Sequence, residues 1–157
     1  MNGNEQLIKR FYTAFQALDY ATMQDCYSKE AVFSDAVFGL LQAPELRAMW
    51  EMLCKNAKDF SLRFSDICLL DEEYATCRWI ASYTFSATGR RVVNDVKAYM
   101  RIENGRITEH TDKFDLWKWS RQALGLSGLL LGWNGFIQNK VHRNARKRLD
   151  AFMLANK

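Results

Sequence analysis

The spacing of hydrophobic residues divides the chain into a helical first part and a strand-rich second part. Apolar residues recur every three or four positions over about residues 4–18, which predicts an amphipathic helix. A short strand is expected over 31–35, and Pro44 fits the first turn of a further helix. Between the first helix and that strand we expect a second, short helix, which carries Met23, Cys26 and Tyr27.

From residue 60 the hydrophobic period changes to two, which is typical of half-buried strands. Asn104-Gly105 is a strong hairpin signal, because both residues tolerate positive φ. Three helices therefore precede a consecutive antiparallel meander, an α+β arrangement in which a curved, mainly antiparallel sheet wraps the helices. The four strands are expected over residues 60–70, 74–86, 92–102 and 106–115.

The pattern becomes helical again after residue 115, with helices expected over 116–124 and 136–154. Residues 138–157 contain six basic side chains against Asp150 alone, whereas the whole chain has a net charge of +4. The basic character therefore belongs to the tail, and a phosphate-binding surface spread over the fold is excluded as a default. The apolar stripe of the last helix is expected to be Ile137, Val141, Ala145, Leu149, Phe152 and Met153.

Composition fits one globular domain with a substantial core. The chain has 157 residues, of which 48% are hydrophobic, 25% charged and 13% aromatic, so disorder over its whole length is excluded. No signal peptide and no apolar run of about 20 residues are visible, so we expect a cytoplasmic protein. The four cysteines show no zinc-binding spacing, and we expect reduced thiols, no metal and no cofactor.

Two stretches of the sequence resemble the nuclear transport factor 2-like superfamily, and its SnoaL-like branch in particular. Residues 15–35, FQALDYATMQDCYSKEAVFSD, are similar to the opening of that family, and residues 99–117, YMRIENGRITEHTDKFDLW, to its closing hairpin. The resemblance implies a cystatin-like, ketosteroid isomerase-like cone of curved sheet, closed by helices around an apolar pocket. It implies a cone domain over 1–116, with 117–157 as a helical extension packed on the same domain.

Two aspartates match acid/base residues of this superfamily. Asp35 ends the first short strand, at the position of the general base in the ketosteroid isomerase branch. Asp112 matches the catalytic aspartate of the limonene epoxide hydrolases and the acid/base aspartate of SnoaL-like cyclases. A carboxyl group in apolar surroundings has a raised pKa, and it can exchange a proton with the carbon next to a carbonyl.

His110, Asp112 and Phe114 share one face of the last strand by the period of two. If Phe114 points inward, the histidine and the aspartate enter the pocket with it, where they can relay a proton near neutral pH. The alternative is a buried His–Asp hydrogen bond that fixes the register of the sheet. For Asp35 the alternative is an ordinary strand-end aspartate.

Several positions depart from the enzymes of the superfamily. The epoxide hydrolases have an Arg-x-Asp pair where this chain has Trp79 and Ala81, which argues against their hydrolysis mechanism. The isomerases hold the oxyanion with a tyrosine and an acid, where this chain has Phe11 and approximately Ala98. Tyr12 is one residue further on, about 100° round the helix. The sequence therefore keeps candidate acid/base residues, Asp35, His110 and Asp112, but has no evident oxyanion hole.

The aromatic and methionine side chains of the cone suit a flat or long apolar ligand. The alternative is that these side chains simply fill the core. The expected pocket residues are Tyr12, Phe15, Phe33, Met49, Trp50, Leu53, Trp79, Tyr83, Met100 and Phe114.

These features leave two functions open. One is an isomerase, dehydratase or cyclase acting on an apolar carbonyl compound; the other is a non-catalytic binder of a lipid-like small molecule.

The tail contains an apolar block, which is expected to form a lid or a dimer contact, or to touch a membrane surface from the cytoplasmic side. It lacks a nucleic-acid-reading motif. That block comprises Trp117, Trp119, Leu124, Leu126, residues 129–131, Trp133 and Phe136. By resemblance, a homodimer is expected through the outer sheet face, formed by Lys97, Tyr99, Arg101, Glu109 and Thr111.

Overall fold

A curved, unclosed sheet of six strands carries the fold, which is the α+β arrangement expected from the sequence. The computed structural model describes residues 2–125 and 135–156. Within them the helices are α1 (Gly3–Gln16), α2 (Tyr20–Asp25), α3 (Ala43–Asn56), α4 (Leu116–Leu124) and α5 (Gly135–Ala155). The strands are β1 (Tyr27–Asp35), β2 (Gly39–Leu41), β3 (Ser61–Leu69), β4 (Tyr74–Phe85), β5 (Arg90–Glu103) and β6 (Arg106–Lys113).

The strands lie in the order β2-β1-β6-β5-β4-β3. The meander from β3 to β6 is antiparallel as predicted, and β1 joins it by running parallel to β6. The three-residue strand β2, which pairs with β1, was not predicted, because three residues are too few to display a period.

The longest strands follow the predicted alternation closely. Along β5, Val96, Ala98 and Met100 are buried, whereas Lys97 and Tyr99 between them are exposed. The turn after β5 has φ of 52° at Asn104 and 73° at Gly105, as a two-residue hairpin of this sequence requires. This register determines which residues of β6 face inward, because β6 pairs directly with β5.

The core lies between the inner face of the sheet and helices α1 and α3. Both helices are amphipathic and begin with clear signals: the Asn2 side chain accepts the Asn4 N–H at α1, and Pro44 occupies the first turn of α3. Packing of one face of each helix against the sheet removes these side chains from water. The buried residues of α1 are Leu7, Ile8, Phe11, Tyr12, Ala14 and Phe15.

The prediction for Cys26 and Tyr27 was wrong. Helix α2 ends at Asp25, and Tyr27 begins β1 opposite Ile107. The Cys26 carbonyl accepts the Ile107 N–H at 2.8 Å, so pairing with β6 removes this segment from the helix. The strand therefore begins four residues earlier than predicted, and it brings the Tyr27 side chain into the core.

Helices α4 and α5 pack on the rest of the fold. Helix α4 lies against β5, where the Gln122 side chain exchanges hydrogen bonds with the backbone of Val93. Helix α5 packs on α3, and its His142 Nδ1 donates to the Val37 carbonyl at 2.9 Å. A Cβ at residue 39 would lie 2.8 Å from His142 Cε1, so glycine permits this close approach.

Leu149, in the predicted stripe of α5, is part of the core, and Ala145, Phe152 and Met153 are partly buried and pack against the core. Leu126, residues 129–131 and Trp133 lie outside the described residues, as do the side chains of Phe136 and Ile137. Among the helices described, none is long and apolar enough to cross a lipid bilayer.

Candidate active site

A cavity of about 530 Å³ lies at the end of the sheet where β1, β4 and β6 finish. Most of its wall is apolar, and helices α3, α4 and α5 complete it. Of the residues expected at the site, those that line it are Asp35, Phe15, Phe33, Met49, Trp50, Leu53, Trp79, Tyr83, Asp112 and Phe114. His110, Tyr12 and Met100 are buried outside the wall.

His110 lies behind the wall, in the centre of an aromatic cluster. Its Nδ1 is 2.6 Å from Tyr27 Oη, and its Nε2 is 2.8 Å from Asp112 Oδ1. The imidazole makes edge contacts with Phe33 and Phe11, at centroid distances of 5.0 Å and 5.8 Å. Tyr27, His110 and Asp112 thus form a hydrogen-bonded line from the core to the cavity, called the buried relay below.

The donors and acceptors of the buried relay have one consistent arrangement when Asp112 is a carboxylate. Trp50 Nε1 donates to Tyr27 Oη at 3.0 Å. Because a carboxylate only accepts hydrogen bonds, a neutral His110 donates from Nε2, and its Nδ1 accepts the hydrogen of Tyr27. His110 then carries its hydrogen on Nε2 and donates it to Asp112. Burial, followed by the charge of Asp112, raises the pKa of Tyr27 well above its usual value, so the phenol keeps its proton.

Asp112 connects the buried relay to the cavity. Its Oδ1 accepts hydrogen bonds from His110 and, at 3.3 Å, from Trp79 Nε1. Within the described part of the chain, Oδ2 has no hydrogen-bond partner, and the residue lines the cavity. A carboxylate with one oxygen fixed and the other free is suited to accept a proton from a bound molecule.

Asp35 is the second carboxyl group of the cavity wall. Its Oδ1 accepts the backbone N–H groups of Val37 at 2.9 Å and Phe38 at 2.6 Å, in the turn between β1 and β2. Burial, the largest cause, and the charge of Asp112 together raise the pKa of Asp35 to about 7, although the two N–H donors oppose the shift. Near neutral pH this group is therefore present in both protonation states.

A second Trp–Tyr hydrogen bond lies in the cavity wall. Trp119, on α4, donates from Nε1 to Tyr83 Oη at 2.8 Å. Its ring packs edge-on against Phe85, with centroids 5.3 Å apart. A residue of the C-terminal extension thus contacts a strand of the cone at the cavity surface.

Two expected pocket residues occupy other positions. Met100 lies on β5 directly opposite His110, with 2% of its surface exposed. Tyr12 stacks on Phe64 at 5.6 Å, and its hydroxyl has no hydrogen-bond partner among the described residues. Burial and the charge of Asp112 raise the pKa of Tyr12 well above its usual value, which keeps it neutral.

Sequence reasoning did not include Tyr27 and Trp119 among the candidates. The sequence predicts Tyr27 in a helix and Trp119 in the apolar block that forms a lid or a dimer contact, or touches a membrane surface. The sequence signal for Tyr27 is weak, because the exposed Lys29 and a register shift between Tyr27 and Val32 interrupt the alternation along β1. Nothing in the local sequence indicates that Trp119 meets Tyr83, since the two are 36 positions apart.

A model of the SnoaL-like domain matches residues 8–110, about two thirds of the chain. The chain belongs to the SnoaL-like family. The matched span includes His110 but ends before Asp112 and before both C-terminal helices of this SnoaL-like protein. No curated protein matches the sequence.

Solved structures place this SnoaL-like chain in the nuclear transport factor 2-like fold. An NTF2-like protein of unknown function from Burkholderia pseudomallei has a TM-score of 0.69 and 18% identity, over 78% of this chain and 98% of that one. A protein with a ketosteroid isomerase-like fold from Catenulispora acidiphila has a TM-score of 0.65 and 8% identity, over 74% of this chain and 91% of that one. An LEH-like epoxide hydrolase from M. tuberculosis has a TM-score of 0.64 and 19% identity, over 80% of this chain and 93% of that one. At these identities the likeness concerns the fold.

Proposed function

We propose that this SnoaL-like protein is an isomerase, dehydratase or cyclase that performs acid/base chemistry on an apolar carbonyl compound. The observation that carries the proposal is the position of Asp112. One of its oxygens is held by His110 and Trp79, while the residue itself lines an apolar cavity. The absence of the Arg-x-Asp pair, replaced by Trp79 and Ala81, favours this chemistry over epoxide hydrolysis.

In the proposed reaction Asp112 Oδ2 takes a proton from the carbon next to the carbonyl. The electron pair of that C–H bond forms a carbon–carbon double bond, and the carbonyl π pair moves to oxygen, which gives an enolate. In an isomerisation the substrate also has a carbon–carbon double bond next to the deprotonated carbon; the electron pair of the enolate shifts that bond, and the proton returns to its far carbon. His110 keeps Oδ1 hydrogen-bonded throughout and stabilises the carboxylate. Asp35, whose pKa is about 7, supplies a second group that can give or take a proton.

The test is deuterium incorporation into 2-tetralone, a flat apolar ketone, in heavy water. The wild-type protein is expected to speed exchange at the carbon next to the carbonyl. Asp112→Asn is expected to lose about a hundredfold or more of that rate, the usual contribution of a general base. Its melting temperature should stay within a few degrees, because an amide oxygen can still accept from His110 and Trp79. Exchange that persists in Asp112→Asn would exclude the assigned role.

Asp95→Asn is the matched control. Asp95 lies on the outer face of β5, where it forms an exposed ion pair with Arg78. The substitution makes the same change of charge away from the cavity, so exchange should be unchanged.

The second candidate function is non-catalytic binding of a lipid-like or other apolar molecule in the same cavity. Phe11 and Ala98, at the positions of the isomerase oxyanion donors, favour it. In the same experiment, ketone binding without exchange in either the wild type or Asp112→Asn would support this alternative. Binding is measured by quenching of tryptophan fluorescence, since Trp50, Trp79 and Trp119 line the cavity.

A homodimer through the outer sheet face is a further part of the proposal. This face presents Tyr99 between the ammonium groups of Lys97 and Lys113, which lie 5.4 Å and 5.2 Å from its ring centroid. An exposed aromatic ring among charges is typical of protein interfaces. Light scattering after size exclusion should give a dimer for the wild type and a monomer for Tyr99→Glu; a monomeric wild type would contradict the proposal.

For the tail, we propose contact with the inner face of the membrane by a cytoplasmic protein. The apolar side of α5 packs on the core, so the contact rests on the exposed Lys140, Arg143 and Lys147. Such binding is electrostatic and weakens with salt. The full chain should float with vesicles containing phosphatidylglycerol, and the variant Lys140→Gln/Arg143→Gln should float less. Equal flotation of the two proteins would contradict it.

A further inference from the structure

We propose that the Tyr83 hydroxyl binds the carbonyl oxygen of the ligand, and that Trp119 positions it for this purpose. This inference rests on the proposed function, because it supplies the oxyanion donor that is absent from the first helix and from β5. It assigns a binding role to a strand of the cone and a positioning role to the C-terminal extension.

The first argument is a count of hydrogens. A tyrosine hydroxyl has one hydrogen to donate and two lone pairs with which to accept. The Tyr83 oxygen accepts the Trp119 N–H at 2.8 Å, so that contact does not use its hydrogen. Among the residues that the structure describes, none accepts this hydrogen. Within residues 2–125 and 135–156, this hydroxyl is therefore a donor without an acceptor.

The second argument is the location of this hydroxyl group. Tyr83 lines the cavity together with both carboxyl groups, Asp35 and Asp112. A ligand in the cavity thus meets a hydroxyl donor and the acid/base groups within one space of about 530 Å³.

The third argument concerns the strength of the donor. Burial raises the pKa of Tyr83, so the phenol stays protonated and able to donate. The hydrogen bond from Trp119 opposes this shift, because it draws electron density from the oxygen and makes the O–H a better donor. A neutral donor of this kind stabilises negative charge as it develops on a carbonyl oxygen.

The fourth argument is the way in which Trp119 is held. Its ring packs against Phe85, and side-chain hydrogen bonds join helix α4 to β5 and to the turn that precedes β5. Thr88 Oγ1 donates to the Ala123 carbonyl, and Gln122 is bonded to the backbone of Val93. The indole is thereby fixed on the side of Tyr83 that faces α4. In the proposed complex the hydroxyl hydrogen is donated to a ligand in the cavity that Tyr83 lines.

The test compares two probes of one shape, 2-acetylnaphthalene and 2-ethylnaphthalene, which differ in the carbonyl group. Their affinities for the wild-type protein and for Tyr83→Phe are measured by calorimetry. Loss of one hydrogen bond of about 1 kcal/mol should weaken ketone binding about fivefold in the variant. Binding of the hydrocarbon should be unchanged. The carbonyl stretch of the bound ketone should move to higher frequency in Tyr83→Phe.

Three controls make the test specific. Tyr99→Phe removes a hydroxyl from the outer face of the sheet and should alter neither affinity. Trp119→Phe should move the carbonyl stretch part of the way, because it leaves Tyr83 in place without its donor. Asp95→Asn, on the outer face of the sheet, should bind both probes as the wild type does.

Two results would overturn the inference: equal changes for both probes in Tyr83→Phe, or an unshifted carbonyl stretch. If Tyr83→Phe does not fold, the same two measurements on the wild-type protein alone test the inference. A ketone that binds no more tightly than the hydrocarbon, or whose stretch equals that in an apolar solvent, would exclude the donor. Loss of deuterium exchange in Asp112→Asn together with an unchanged stretch in Tyr83→Phe would retain the proposed function and reject this inference.

Discussion

The same pair of side chains occurs twice in this molecule, in two different settings. Trp50 donates to Tyr27 at 3.0 Å in the closed part of the core, and Trp119 donates to Tyr83 at 2.8 Å in the cavity wall. In the core, the tyrosine donates its own hydrogen to a hydrogen bond with His110. In the wall, no described residue receives it.

The difference separates two uses of one interaction. A buried polar group whose hydrogen bonds are complete fixes structure, and removal of one partner leaves the others unsatisfied. A group with one hydrogen bond left unmade beside a cavity is prepared for a molecule from outside. Tyr27 is an example of the first and Tyr83 of the second, although their immediate partners are the same.

The largest effect is expected from Tyr27→Phe. It would leave Trp50 Nε1 and His110 Nδ1 buried without a partner, at a cost of about 2–4 kcal/mol in the free energy of unfolding. Tyr83→Phe leaves the Trp119 N–H alone unpaired and should cost about 1 kcal/mol. Urea denaturation of both variants measures the contrast. Equal losses would show that the two tyrosines do not differ in the way described.

An intermediate effect is expected from Asp35→Asn, and it depends on pH. The pKa of Asp35 is raised from 3.8 to about 7 in the folded protein. The folded state therefore holds a proton that the unfolded state releases, so wild-type stability falls as pH rises between about 4 and 7. The asparagine keeps an acceptor for Val37 and Phe38 and carries no charge.

Thermal unfolding across this pH range measures the effect of Asp35→Asn. At pH 8 the variant should be more stable by about 1–2 kcal/mol, after allowance for partial exposure of the group to solvent. Below pH 4 the two proteins should unfold at the same temperature. A wild-type curve that is flat between pH 4 and 7 would contradict the raised pKa.

The smallest effect is expected from Tyr12→Phe, and it has the opposite sign to that of Tyr27→Phe. The Tyr12 hydroxyl is buried without a hydrogen-bond partner among the described residues, so its removal takes away an uncompensated polar group. The variant should be more stable by up to about 1 kcal/mol in urea denaturation. Tyr99→Phe, at an exposed position, serves as the control with no change expected. A destabilised Tyr12→Phe would mean that the hydroxyl is satisfied after all.

The sequence predicts most of the sheet and part of the site. Alternation along the last strand brings His110 and Asp112 to one face, and both are buried in the structure. Tyr27 was misplaced, because pairing with a strand 80 positions away decides between helix and strand at that point. A lid formed by the apolar block was among the expectations, but the choice of Trp119, Leu124, Val141 and Ala145 as cavity residues depends on how α4 and α5 dock, which local pattern does not predict.

Much of the cavity wall comes from the part of the chain beyond the family domain. Trp119, Leu124, Val141 and Ala145 all line the cavity, whereas the domain match ends at residue 110. Two relatives that share the strands through β6 but carry different helices after it would keep Asp35 and Asp112 and accept differently shaped molecules. In evolution, such a division allows ligand preference to diverge by replacement of the tail while the chemistry is inherited unchanged.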